Sequence, residues 1–65
     1  MRILVNGAWR ETLAAELAAA LEELGYGGAI VTTALNGEFV AVPARSATAL
    51  AEGDRVEVLA PMQGG

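Results

Sequence analysis

No cysteine, histidine or lysine occurs anywhere in the chain. Their absence excludes disulfides, thiolate nucleophiles, imidazole bases and Schiff-base chemistry, and with them most transition-metal sites. The acid and base groups that remain are eight carboxylates and Tyr26. Hydroxyls stand at Thr12, Thr32, Thr33, Ser46 and Thr48, without the kind of base that activates a serine or threonine nucleophile. Neither an autonomous enzyme nor a metal site is expected. Positive charge is also scarce: Arg2, Arg10, Arg45 and Arg55 are the only cations, they are scattered, and the net charge is −4. That balance argues against a nucleic-acid partner or an anionic membrane surface. Apolar runs fall far short of the roughly 20 residues that cross a bilayer. Strand-like residues begin at Met1 with no basic leader or apolar h-region, so no signal peptide is expected and the cytoplasm is the expected location.

What is present suits one small domain: 65 residues, 54% of them hydrophobic. A chain of this size buries only about 60% of the surface its unfolded form exposes, so its core must be efficient. The opening MRILVNGAWRE reads as two strands around Asn6-Gly7, a dipeptide that takes the positive φ angles of a two-residue type I′ turn. Such a turn sets the register: Val5 opposite Ala8, Leu4 opposite Trp9, Ile3 opposite Arg10, Arg2 opposite Glu11. Side chains alternate along a strand, so Ile3 and Val5 share one face, while Leu4 and Trp9 share the other with Arg2 and Glu11. The stretch AIVTTALNGEFVAV repeats the device around Asn36-Gly37, with Leu35 opposite Glu38, Ala34 opposite Phe39 and Thr33 opposite Val40.

Between the hairpins, TLAAELAAALEELG carries Leu13, Leu17, Leu21 and Leu24 at spacings that fall on one stripe of a helix. Thr12 is the expected N-cap, Glu22 and Glu23 are expected to face water, and Gly25 suits the left-handed position that ends a helix. Pro43 stops strand pairing, and ARSATALAEGD reads as a connector with one helical turn, closed by Gly53-Asp54. A last strand, RVEVLA, sets Val56 and Val58 on one face and Arg55, Glu57 and Leu59 on the other. The order is strand, strand, helix, strand, strand, strand. One amphipathic helix for one sheet predicts an α+β domain whose mixed sheet packs one face on the helix and leaves the other open. On that open face Leu4, Trp9 and Leu59, with Phe39 joining them, stand among charged residues and form a candidate docking surface. The chain then ends in Gly64-Gly65, residues poor in packing value and costly to order.

The element order, the ALNGEFV hairpin, the LAEGDRVEVLAPM turn and strand, and the Gly64-Gly65 ending together resemble the ubiquitin-like β-grasp sulfur carriers. Within that group the chain is similar to the ThiS family of thiamine-biosynthesis sulfur carriers, over essentially its whole length. The connector VPARSATAL departs from the family pattern by lacking the aromatic that many relatives place soon after the arginine matching Arg45. The resemblance implies a β-grasp domain over residues 1–60, with about five strands on one helix, and a flexible reactive tail over residues 61–65. It implies that the Gly65 carboxylate is the reacting group. A ThiF-like adenylyltransferase would consume ATP to adenylate it, and a cysteine desulfurase or sulfurtransferase would supply sulfur for a thiocarboxylate. A ThiG-like thiazole synthase would then use that sulfur to build the thiazole of thiamine.

On this view the chain binds no cofactor of its own. A carrier without cysteine cannot hold sulfur as a persulfide, which leaves a terminal carbonyl as the place for it. Residues 61–65 reach about 16 to 18 Å when extended, enough to enter a buried active site. Gly64 lets partner backbone approach closely, and Met62 and Gln63 offer adaptable apolar and hydrogen-bonding contacts. Three alternatives stay open: the small subunit of molybdopterin synthase, a ubiquitin-like modifier that conjugates to lysines of targets, and a passive binding domain with no chemistry at its C-terminus.

Overall fold

The computed structural model describes residues 1–60. Its elements are β1 (Arg2–Val5), β2 (Ala8–Glu11), α1 (Leu17–Glu23), β3 (Thr32–Leu35), β4 (Glu38–Val40), a 3-10 helix (Val42–Ala47) and β5 (Arg55–Leu59). The five strands form one mixed sheet in the order β2-β1-β5-β3-β4. The last strand is therefore the central one, parallel to β1 and antiparallel to β3.

Both hairpins form in the expected register. Asn6 and Gly7 have φ of 49° and 83°, and Asn36 and Gly37 have 51° and 85°, so each pair holds the two positive φ angles that a type I′ turn requires. One face of the sheet carries Ile3, Val5, Val40, Val56 and Val58 into the core, where Leu17, Ala20 and Leu21 of α1 meet them. Alternation along β5 is complete: Val56 and Val58 are buried, and Arg55, Glu57 and Leu59 are exposed. The 3-10 helix opens with Pro43 near its start, a position where the missing N–H costs nothing.

The helix starts later than its leucine stripe predicts. Thr12 is not its N-cap: Glu16 is, and its carboxylate accepts the Ala19 N–H at 2.8 Å. The reason lies in the partner segment. The Leu17 N–H donates to the Thr48 carbonyl at 2.9 Å and the Leu50 N–H to the Ala15 carbonyl at 3.0 Å, so backbone groups that an earlier helix would use are already spent. Leu13 consequently lies outside the helix and is 96% exposed. Thr12 is buried instead, where its hydroxyl accepts the Ala14 N–H and donates to the Glu23 carboxylate. The Leu13 N–H donates to that carboxylate as well, so Glu23 staples the end of β2 to α1, although it was expected only to face water. Gly25, at φ 92°, ends the helix as expected. The Tyr26 N–H reaches the Leu21 carbonyl and the Gly25 N–H the Glu22 carbonyl, the paired bonds of a Schellman motif.

The β3 strand also begins later than AIVTTAL suggests, at Thr32, and Ile30 is left exposed. Arg45 holds the junction from the connector: its Nη2 donates to the Val31 carbonyl at 2.6 Å and its Nε to the hydroxyl of buried Thr33 at 3.0 Å. That hydroxyl in turn donates to the Val40 carbonyl, so one arginine ties the connector to β3 and β4.

Candidate functional site

The reacting group expected from the sequence, Gly65, and the residues expected to be recognised by partners, Gly64, Gln63 and Met62, lie outside the described residues, and so does the expected tail as a whole. What the structure does place is the body from which residues 61–65 continue. Because β5 is the central strand, residue 60 leaves the sheet from its middle rather than from an edge.

The open face carries all four expected docking residues, distributed over four strands. Leu4 of β1 sits opposite Trp9 of β2 and beside Arg55 of β5. Leu59 of β5 sits opposite Thr32 of β3, and Phe39 of β4 opposite Ala34. The sheet order therefore divides them into two groups, Trp9 and Leu4 on adjacent β2 and β1, and Leu59 and Phe39 on β5 and β4 to either side of β3. Phe39 and Leu59 share a shallow groove of about 220 Å³, floored by Thr32 and Ala34 and bordered by Glu57. They are 71% and 64% exposed, high values for large apolar side chains. Trp9 and Leu4 form the other group. There the Arg2 guanidinium stands 4.9 Å from the centroid of the Trp9 ring, a cation–π arrangement that covers part of the indole while leaving its charge accessible.

The face thus offers apolar contact area edged by Arg2, Arg55 and Glu57. Those are the ingredients of a specific, non-obligate interface, with apolar centres and a charged rim.

Two other apolar residues escaped the sequence reading. Ile30 and Val42, both well exposed, line a hollow between the α1–β3 loop and the 3-10 helix, with Tyr26 and Arg45 in its wall. The apolar AIV run was legible only as the start of a strand; that Ile30 stays out of the sheet depends on where β5 ends its pairing with β3 at Thr32. Among the described residues no group of three or more carboxylates is placed to hold a metal ion. No described helix is long and apolar enough to cross a membrane.

Against known proteins, the model of the ThiS family matches residues 3–65, a match that runs through Gly64 and Gly65. Among solved structures, the crystal structure of a thiamine biosynthesis protein (ThiS) from Geobacter metallireducens is 36% identical. It superimposes with a TM-score of 0.83, and the alignment covers 100% of each chain. Among curated proteins nothing matches the chain.

Proposed function

This chain belongs to the ThiS family, and from that premise we propose that it is a sulfur carrier of thiamine biosynthesis, a protein co-substrate rather than a catalyst. The observation that carries the proposal is the family match through residue 65, on a chain with no cysteine on which sulfur could otherwise ride. A carboxylate is a poor electrophile. The Gly65 carboxylate oxygen attacks the α-phosphorus of ATP on a ThiF-like adenylyltransferase and pyrophosphate leaves. The resulting mixed anhydride has AMP as a good leaving group, which the outer sulfur of a persulfide on a cysteine desulfurase or sulfurtransferase displaces. A thiol then reduces the S–S bond of that acyl disulfide, becoming a disulfide itself and freeing the thiocarboxylate. One difficult displacement is thereby split into two easier ones. A ThiG-like thiazole synthase consumes the thiocarboxylate.

The expected experiment is a transfer assay with the thiocarboxylated chain. Sulfur should appear in thiazole when thiazole synthase is supplied, and none should reach the product of the molybdopterin synthase large subunit. Transfer to the latter alone would reassign the pathway, and lysine adducts in cells would make the chain a protein modifier.

Insertion of residues 61–65 buries too little surface for a specific complex, so the body must contribute most of the about 800 Å² per partner of an ordinary interface. Leu59 is the residue to test, because it closes β5 immediately before the segment that carries Gly65 and lies in the groove with Phe39. Converting Leu59 to Glu sets a charge in a contact that must desolvate, beside the carboxylate of Glu57. The complex with the adenylyltransferase should weaken by about 2 kcal/mol, the threshold of a hot spot. In the free protein the position is already in water, so stability should stay within about 0.5 kcal/mol. A binding titration beside a thermal melt reads both quantities. Unchanged affinity removes Leu59 from the interface, and a collapsed melt places it in the core.

A further inference from the structure

The pairing of β1 with β5 is short: Leu4 aligns with Arg55 and Val5 with Val56, and there β1 ends, because Asn6 turns away at φ 49° into the hairpin. Backbone bonds follow the same limit, from the Leu4 N–H to the Asp54 carbonyl at 2.9 Å and from the Asn6 N–H to the Val56 carbonyl at 3.0 Å. Strand groups alternate in direction, so Val58, two residues beyond Val56, also points its N–H and C=O toward β1, where no backbone remains to meet them. The Asn6 side chain meets both. Its Nδ2 donates to the Val58 carbonyl at 3.0 Å, and its Oδ1 accepts the Val58 N–H at 2.8 Å. The carboxamide reproduces one further rung of the ladder, and Val58 fixes its orientation because a backbone N–H only donates and a C=O only accepts.

We infer that Asn6 is a positioning residue for the reaction of Gly65, an inference that rests on the sulfur-carrier reading. Its amide is the last bond on the β1 side of β5 among the described residues, so it holds the end of the strand from which residues 61–65 continue. Without it, β5 keeps only its β3 partner past Val56. Each residue released from the strand adds about 3.3 to 3.6 Å of chain between β5 and Gly65 and backbone freedom that binding must freeze again. The cost falls on binding, not on the chemistry of a carboxylate already seated.

A second asparagine supplies the control. Asn36 occupies the matching place in the other hairpin, and its Oδ1 accepts the Arg55 N–H at 2.9 Å while its Nδ2 donates to an Asp54 carboxylate oxygen at 3.0 Å. It clamps the start of β5, and Asn6 clamps the end. The test is steady-state adenylation of the intact chain by its adenylyltransferase, with wild type, N6G, N36G and N6D, each also melted and examined for amide exchange at Val58. Glycine keeps the positive φ and removes only the side chain.

N6G should raise KM for the carrier about tenfold with kcat unchanged, the equilibrium equivalent of freezing one additional backbone residue, and should speed exchange at Val58. N36G should lower the melting temperature comparably and leave KM and Val58 exchange as they are. N6D keeps the acceptor for the Val58 N–H but sets an anion against the Val58 carbonyl, so KM should rise there too; it carries the test should N6G fold poorly. A KM for N6G within twofold of wild type, or an equal rise in N36G, overturns the role of Asn6 while leaving the functional reading intact. A wild-type chain that is not adenylated at all overturns that reading and this role together.

Discussion

Removal of Gly65 should abolish adenylation and leave the melting temperature of the body unchanged. The shortened chain still ends in a glycine carboxylate, that of Gly64, but one residue of reach is lost, about 3.3 to 3.6 Å. Misplacing a reacting group by as little as 1 Å can cost about a hundredfold in rate, so a deficit several times larger removes the reaction from a partner site that anchors the body. Among the described residues the core lies between Ile3 and Val58, and the truncation touches none of it. In the full-length chain, incubation with ATP, the adenylyltransferase and a sulfur source should raise the intact mass by the difference between one sulfur and one oxygen. Fragmentation should place the change on Gly65. A modification mapped elsewhere, or a truncated chain adenylated at the full rate, would refute the assignment of the reacting group. A truncated chain that unfolds would show that residue 65 supports the body.

Replacement of Leu17 by Ala should cost about 2 to 5 kcal/mol, the range for large-to-small changes in a packed core. Leu17 is fully buried, and it is the first residue of α1. Helix propensity cannot be the cause of the loss, since alanine is the best helix former. The loss measures the cavity against the sheet. It is a large share of the stability of a small domain, which sits toward the low end of about 5 to 15 kcal/mol. It is also cooperative, because α1 has seven residues and a helix that short depends on its packing. Leu13→Ala is the matched comparison: same chemistry, four residues earlier, on a side chain almost wholly in water. Its effect should stay within about 0.5 kcal/mol. Urea unfolding of the two variants reads the difference, and equal losses would restore Leu13 to the helix face.

The pair also marks where sequence reasoning stopped. Leu13 satisfies the helical spacing as well as Leu17 does, so periodicity alone admits both. What separates them is a bridge between residues 15–17 and residues 48–50, held by bonds from Leu17 to Thr48 and from Leu50 to Ala15. No local window contains both ends of it. The hairpins behaved differently, because a two-residue Asn-Gly turn settles its own register from the φ angles it demands, and all seven expected cross-strand pairs followed.

The docking face was legible to the same depth. Alternation put Leu4, Trp9, Phe39 and Leu59 on one side of the sheet, but the division into a Phe39–Leu59 groove and a Trp9 ring under Arg2 needed the strand order. Asn6 read as a turn former and nothing more. Its second task depends on a partner 52 residues away.

The amino-acid sequence by itself determined the strands, the faces they present, the turns that join them and the absence of any side chain able to carry sulfur, because each of these follows from residue identity, a period of two or a dihedral preference. Only the tertiary structure decided that the last strand runs through the middle of the sheet, that α1 waits until Leu17, and that the Asn6 amide closes the ladder at Val58. Those outcomes are set by competition for backbone hydrogen bonds between segments far apart in the chain, and the winner is known only when all the partners are in place.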